Sequence, residues 1–324
     1  FSMARKTILV ALGGNAIKQA DEKGTAEEQF KNVYITCKQL IQLLKAGHRL
    51  VITHGNGPQV GNLLLQFEAC KETPALPLEM AGAMTQGLIG YMFEQVLTNL
   101  LWEEKMPLPV AAIVNQVLVD SNDPDYKDPT KPVGSFYTKE EAEQLKKDRP
   151  DWIIKEVKPA NVERRFRRVV ASPDPIKNME YIAIRRMLDS GIVVIASGGG
   201  GVPVIYNENG HLRGTPAVID KDLAGEKLAE VVGADILLIL TDVPNALINF
   251  GKPEQRPVEK VSFSEMQKLY DEGHFKSGSM GPKVKAALRF VEFGGDRSVI
   301  TSLDKAFDAI RGKTGTQIVP DWKI

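Results

Sequence analysis

The chain has 324 residues, 43% of them hydrophobic, which is enough to fill a sizeable core and argues against a disordered polypeptide. Its 41 Lys and Arg balance 41 Asp and Glu, so no global field draws it to nucleic acid or to an acidic membrane, and any anion site has to be local. Two cysteines, Cys37 and Cys70, with no His cluster beside them, argue against a disulfide framework or a structural zinc and suit a reducing cytoplasm.

Taken in chain order, the opening residues through Arg5 and Lys6 run directly into an apolar segment, and no secretory signal is expected. Thr7 to Leu12 reads as a buried strand that ends on Gly13-Gly14-Asn15. Phe30, Val33, Tyr34, Cys37, Leu40, Ile41 and Leu44 recur at three-and-four spacing, which predicts a helix that Gly47 ends by taking a positive φ. Leu50 to Thr53 is the next strand, followed by His54-Gly55-Asn56-Gly57, with Pro58 placed to open another helix. Between Ser121 and Val170 the composition turns to Asp, Pro, Lys and Arg around a short helix, with a capping box at Thr138 and Glu141; this is read as an inserted flap over 121–170. Further strands are expected at 192–197, 236–243 and 298–302, and helices at 223–232 and 284–291. Continuous apolar strands alternating with helices predict an α/β fold, a three-layer αβα sandwich around a mainly parallel sheet. No run is long enough to cross a bilayer.

Four segments place glycine where predicted strands end: Gly13-Gly14-Asn15, Gly55-Asn56-Gly57, Gly198 to Gly201, and Ser277-Gly278-Ser279-Met280-Gly281-Pro282-Lys283. Each alone is an ordinary turn, but together they point to a ligand, because open α/β sheets bind at the carboxyl ends of their strands and glycine lets backbone N–H groups converge on an anion. Two standard phosphate motifs fail. Gly312-Lys313-Thr314 lacks the upstream P-loop glycine, since Phe307 stands there, and the Gly55 to Gly61 stretch fits a dinucleotide fingerprint poorly. Lys131 sits between Pro129 and Pro132 within the flap, while Lys221 and Lys283 each stand near a predicted helix N-terminus, where a cation is disfavoured unless an anion is present. Three such lysines suit a clamp on a transferring phosphoryl group. His54, in a loop, reads as a structural hydrogen bonder rather than a catalyst, and Arg164, Arg165, Arg167 and Arg168 around Phe166 read as one solvated edge of the flap rather than an RNA surface.

The segments Ala11 to Ile17, Thr53 to Gly61, Ala196 to Gly201, Ala217 to Ala224 and Gly278 to Lys283 occur in an order that resembles the carbamate kinases of the amino acid kinase fold, over nearly the whole chain. The flap with Pro129 to Pro132 and Gly134-Ser135-Phe136-Tyr137 resembles their mobile subdomain, while Ala171 and Leu247 depart from the family pattern. The resemblance implies one amino acid kinase-like domain over 1–324, with a lobe of about 4–205 for the small acid and one of about 206–324 for the nucleotide. It implies a cytoplasmic homodimer that uses Mg2+ with ATP or ADP and interconverts carbamate and carbamoyl phosphate, making ATP in arginine catabolism. Lys131, Lys221 and Lys283 would contact the transferring group and Asp222 would orient the lysines. Gly13, Gly14, Asn15, Gly55, Asn56 and Gly57 would face the substrate, with Asp242, Val243, Met280 and Gly281 nearer the nucleotide; no side-chain metal site is implied. Kinases of another small carboxylate, like acetylglutamate kinase, and a non-catalytic nucleotide sensor remain the alternatives.

Overall fold

The computed structural model describes residues 4–275 and 280–324. An eight-stranded sheet runs through the centre. In spatial order its strands are Lys260–Ser262, Thr316–Val319, Arg297–Ser302, Ile236–Thr241, Thr7–Leu12, Arg49–His54, Val193–Ile195 and Val110–Ala112. From Arg297–Ser302 to Val110–Ala112 every pairing is parallel, and only the outer pair runs the other way.

The central strand Thr7–Leu12 is buried throughout because helices cover both faces. Ile8, Val10 and Leu12 point into a cluster with Val33, Leu40 and Phe93 from the Ala26–Lys45 and Leu78–Glu103 helices. Leu9 and Ala11 point the other way, against Leu228, Val284 and Val291 from the Lys221–Val232 and Met280–Phe293 helices. The period of two along the strand thus divides one apolar run between two cores, and each fully buried Leu or Ile contributes roughly 1.5–3 kcal/mol. The Ala26–Lys45 helix opens on a complete capping box, Thr25 with Glu28, and Gly47 beyond its end takes φ +87°.

The inserted segment folds as a small unit of its own. Lys131–Tyr137, Phe166–Val170 and Ile153–Glu156 form an antiparallel sheet, the second of them central, and the Lys139–Asp148 helix starts on the Thr138–Glu141 capping box. Tyr137, Ala142 and Ile154 make its core, while Val133 and Val170 pack at its base on Val60, Leu64 and Leu78 of the body. Glu68, on the Gly57–Ala69 helix, clasps it by accepting from Ser135 Oγ at 2.7 Å and Tyr137 OH at 3.0 Å. The arginine run turns inward to the flap. Arg164 pairs with Glu141, Arg165 with Glu156, Arg167 donates to the Gly134 carbonyl and Arg168 lies over Trp152. No helix among the described residues is long and apolar enough to cross a membrane.

Candidate active site

Parallel registry puts the carboxyl ends of the central strands at one edge, with Leu12 opposite both His54 and Leu240 and Thr241 opposite Ser302. The loops that leave these ends converge on a cavity of about 610 Å³, lined by Gly13, Gly14, Asn15, Lys221, Asp242 and Lys283, with Gln19, Ser302 and Asp304 around them.

Asp222 organises this cavity. It is 2% exposed, and its two oxygens accept from different lysines, Oδ1 from Lys221 Nζ at 2.7 Å and Oδ2 from Lys283 Nζ at 3.0 Å. Burial alone would raise the Asp222 pKa, but the two ammonium groups hold it below the usual carboxylate value. Lys221 is shifted down by burial, which outweighs the attraction of Asp222. The Lys221–Val232 helix begins at the lysine itself because Asp220 caps it, its Oδ1 accepting from the N–H groups of Asp222 and Leu223. Capping fixes the first turn, so Lys221 and Asp222 leave it towards the glycine loops. Lys283 reaches the same carboxylate from the first turn of Met280–Phe293, with 5% of its surface exposed. Two cations around one carboxylate leave that cluster one positive charge in surplus, to which a phosphate could pair, while Asp242 and Asp304 line the same cavity.

Gly55 lies across Lys221: a Cβ there would stand 3.4 Å from Lys221 Cδ and 3.6 Å from the Gly14 N. A small cavity of about 120 Å³ is lined by Asn56, Gly57, Lys131, Gly199 and Gly201 under the base of the flap. Lys131 therefore lines a different cavity from the Lys221–Lys283 pair. A larger cleft of about 810 Å³, between the flap and the Gly57–Ala69 helix, contains none of the strand-end loops or these three lysines.

Residues 198–201 close the floor under tight steric limits. Gly199 has φ +64°, and a Cβ on it would come within 2.1 Å of Asn56 Nδ2; one on Gly198 would meet the His54 ring at 2.4 Å. Only glycine lets this loop lie on the other. His54 is fully buried beside Phe93, with Nδ1 donating to the Gly55 carbonyl at 2.9 Å, and burial pushes its pKa down to about 4. It is neutral at pH 7 and braces the loop, as its structural reading anticipates.

Of the remaining expected residues, Val243, Met280 and Gly281 do not line either cavity; Met280 packs instead on the core under its helix. The Ser277-Gly278-Ser279 part of the fourth glycine segment lies outside the described residues. Sequence reasoning missed a buried polar scaffold beneath the 198–201 loop. Ser197, at φ +53°, accepts from Asn178 Nδ2 at 2.9 Å and donates its N–H to Asn115 Oδ1 at 2.6 Å, while Gln86 Nε2 donates to the Gly198 carbonyl at 3.1 Å. The signal available was Gln86, an amide beside Thr85 in the mainly apolar run from Met80 to Phe93.

Comparison with known proteins agrees with this geometry. Residues 6–302 match the Amino acid kinase family. The chain is 55% identical to the carbamate kinase of Thermococcus kodakarensis, covering 97% of this chain and 99% of that protein, and 51% identical to that of Pyrococcus furiosus at the same coverage. It superposes on carbamate kinase from Giardia lamblia bound to AMP-PNP with a TM-score of 0.93 and 45% identity, over 98% of this chain and 99% of the other. A body of parallel strands with glycine loops at their carboxyl ends, and relatives matched along nearly their full length, place the chain in the amino acid kinase family, among the carbamate kinases.

Proposed function

We propose that this chain is the phosphotransferase its relatives' name describes, interconverting ATP and carbamate with ADP and carbamoyl phosphate. The observation that carries the reading is the shared carboxylate: Asp222 holds Lys221 and Lys283 side by side at the mouth of a cavity walled by Gly13 and Gly14. The roughly 610 Å³ space suits a nucleotide, as the AMP-PNP complex of the Giardia lamblia relative suggests by likeness. The space of about 120 Å³ beside Lys131 suits an acid of a few non-hydrogen atoms and disfavours larger carboxylates such as acetylglutamate.

Carbamate arrives as an anion, so its oxygen attacks the terminal phosphorus in line without first losing a proton to the protein. The chain's residues supply alignment and charge. Lys221 and Lys283, set by Asp222, neutralise the equatorial oxygens, Lys131 joins them from the acid's side as the flap closes, and the N–H groups of Gly13, Gly14 and Gly55 to Gly57 orient both reactants. In this scheme residues 4–205 carry the acid and 206–324 the nucleotide, with Asp242 on the nucleotide side and the flap, 121–170, closing over the acid and excluding water.

Magnesium fits as a companion of the nucleotide. Among the described residues no three His, Cys, Asp or Glu side chains gather to hold an ion, and both Asp222 oxygens are engaged by lysines. When bound, the metal would neutralise phosphate charge from the nucleotide's own oxygens. A homodimer is supported by an apolar stripe along one face of the Leu78–Glu103 helix, where Met80, Met84, Leu88 and Tyr91 stand exposed and Phe30 and Tyr34 of the neighbouring helix continue it. Cys37, buried, and Cys70, exposed, are both free thiols, which suits a cytoplasmic setting.

The decisive assay is ADP-dependent ATP formation from carbamoyl phosphate, with acetyl phosphate as a near-isosteric control. A strong preference for carbamoyl phosphate is expected; no ATP, or equal use of acetyl phosphate, would remove the word carbamate.

A further inference from the structure

The five residues that leave the flap contact the strand of Lys131, the segment that leads into the Lys221 helix and the helix that carries Lys283. Val170, the last residue of the central flap strand, is the register partner of Lys131. Ala171 bridges to Ala217, and its carbonyl accepts from the Val218 N–H at 3.0 Å, three residues before Lys221 begins its helix. Asp174 receives a bidentate pair from Arg289, Nη1 to Oδ1 and Nη2 to Oδ2, both at 2.7 Å, and Arg289 lies on the helix that carries Lys283.

The segment is held from the other root of the flap as well. Asp123 accepts from the Asp174 N–H at 3.0 Å, and Asp125 accepts from the Ser172 N–H. Lys285 adds a weaker approach to Asp174 at 3.9 Å. The stretch is therefore a short strut with fixed ends, and its link to the Met280–Phe293 helix is made by side chains, Arg289 gripping Asp174 at two points and Lys285 approaching it more distantly. A planar guanidinium gripping a carboxylate at two points transmits orientation as well as distance, which a single lysine contact cannot do.

Resting on the carbamate kinase reading, we propose that Arg289 and Asp174 are positioning residues that couple the placement of the flap, and so of Lys131, to the helix that presents Lys283. Neither touches the reacting atoms. Their bond makes the approach of the flap cation and the seating of the nucleotide-side cation one event.

The test is a double-mutant cycle with Arg289→Gln, Asp174→Asn and the double variant, with Arg289→Lys as a charge-conserving control whose fold is under least threat. Misplaced clamps lower turnover with little change in nucleotide affinity, so each single variant should lose about tenfold in kcat while KM for ADP stays within about twofold. The double variant should be no worse than the poorer single one, because the bidentate bond is already lost in each. Arg289→Lys should recover part of the loss.

Hydrogen exchange supplies a readout that needs no turnover. AMP-PNP should slow exchange at the Phe166–Val170 amides of the unaltered protein, and this protection should disappear in Arg289→Gln and in Asp174→Asn. Protection that persists in the variants, no protection in the unaltered protein, or single losses that add in the double variant would each overturn the coupling. Absence of ATP formation in the unaltered protein would instead defeat the carbamate kinase reading, and the exchange experiment would still decide the strut.

Discussion

Glu226 gives the sharpest test of the physical account, because the fold carries an ionisable group that it would do better without. The residue lies one turn beyond Asp222 on the Lys221–Val232 helix, is 0% exposed, and has the carboxyl group of Glu230 as its neighbour. Burial, with the neighbouring Glu230 acting in the same direction, pushes its pKa from an ordinary 4.5 up to about 9, against the opposing pull of Lys227 and Arg289. At pH 7 the folded protein therefore keeps a proton that the unfolded chain releases. The stability tied to that proton is fully present below the unfolded pKa and is lost as pH rises through the folded one. Holding a proton 2.5 pH units above a pKa of 4.5 costs about 3 kcal/mol at pH 7.

Glu226→Gln removes that cost and introduces an amide whose unpaired burial costs roughly 1–3 kcal/mol, so the net gain at pH 7 is small. The slope is the diagnostic quantity. Between pH 6.5 and 8.5 the variant should gain on the unaltered protein by about 1.4 kcal/mol per pH unit, the signature of one proton, whatever the packing of the amide. That interval also stays clear of the His54 transition. Denaturant unfolding of both proteins at several pH values measures it directly. A stability difference that stays flat across the interval would refute the claim that Glu226 is protonated in the fold.

The other expectations are read more simply. Lys131→Ala, Lys221→Ala and Lys283→Ala should each lose roughly 3 kcal/mol or more of transition-state stabilisation, about a hundredfold in kcat, and full turnover of the Lys221 variant at saturating substrates would defeat the clamp. Gly199→Ala should destabilise the fold by about 1–3 kcal/mol and displace Asn56, since it forces a Cβ at φ +64° into that side chain; a thermal midpoint and KM for carbamoyl phosphate both unchanged would contradict this. His54 is held neutral with a pKa of about 4 against an ordinary 6.5, so the unfolded chain takes up its proton first as pH falls. Stability should drop by about 3 kcal/mol in total between pH 6.5 and 4, and His54→Gln should flatten that part of the curve.

The parts of the fold legible in the sequence are those where burial leaves a one-dimensional trace. Thr7–Leu12 is apolar at every position because two cores claim alternate residues, and the strand was readable to its ends. Helix starts were harder: the Lys221–Val232 helix begins before its first apolar residue, because Asp220 caps it, and Met280–Phe293 likewise runs ahead of the apolar stretch from Val284. The flap announced its helix through Thr138 and Glu141 but not its three strands, whose short, charged sequences resemble loop. Within the site, glycines and lysines stood out because their backbone freedom and charge are chemically specific. The scaffold of Gln86, Asn115, Asn178 and Ser197 did not, since an amide that braces a buried loop is spelled the same as one in water. Nor could spacing along the chain separate Lys131 from the other two lysines, which line different cavities.

The arrangement around Asp222 also limits the kind of acceptor the site can serve. A hydroxyl acceptor needs a base at the point of attack, and the buried carboxylate between the two lysines is poorly suited to be one. Both of its oxygens already accept from ammonium groups, and those cations hold its pKa below the ordinary value, which weakens its claim on a proton. His54 is no better placed, because its Nδ1 is committed to the Gly55 carbonyl and burial keeps the ring neutral. An acceptor that is already an anion requires neither group to move a proton, and on the proposed reading it is met by the same lysine pair that meets the phosphates. On the proposed reading, the pairing of two lysines on one carboxylate is a choice of substrate as much as a device of catalysis: it equips the cavity for an ionised oxygen and leaves a neutral alcohol without help.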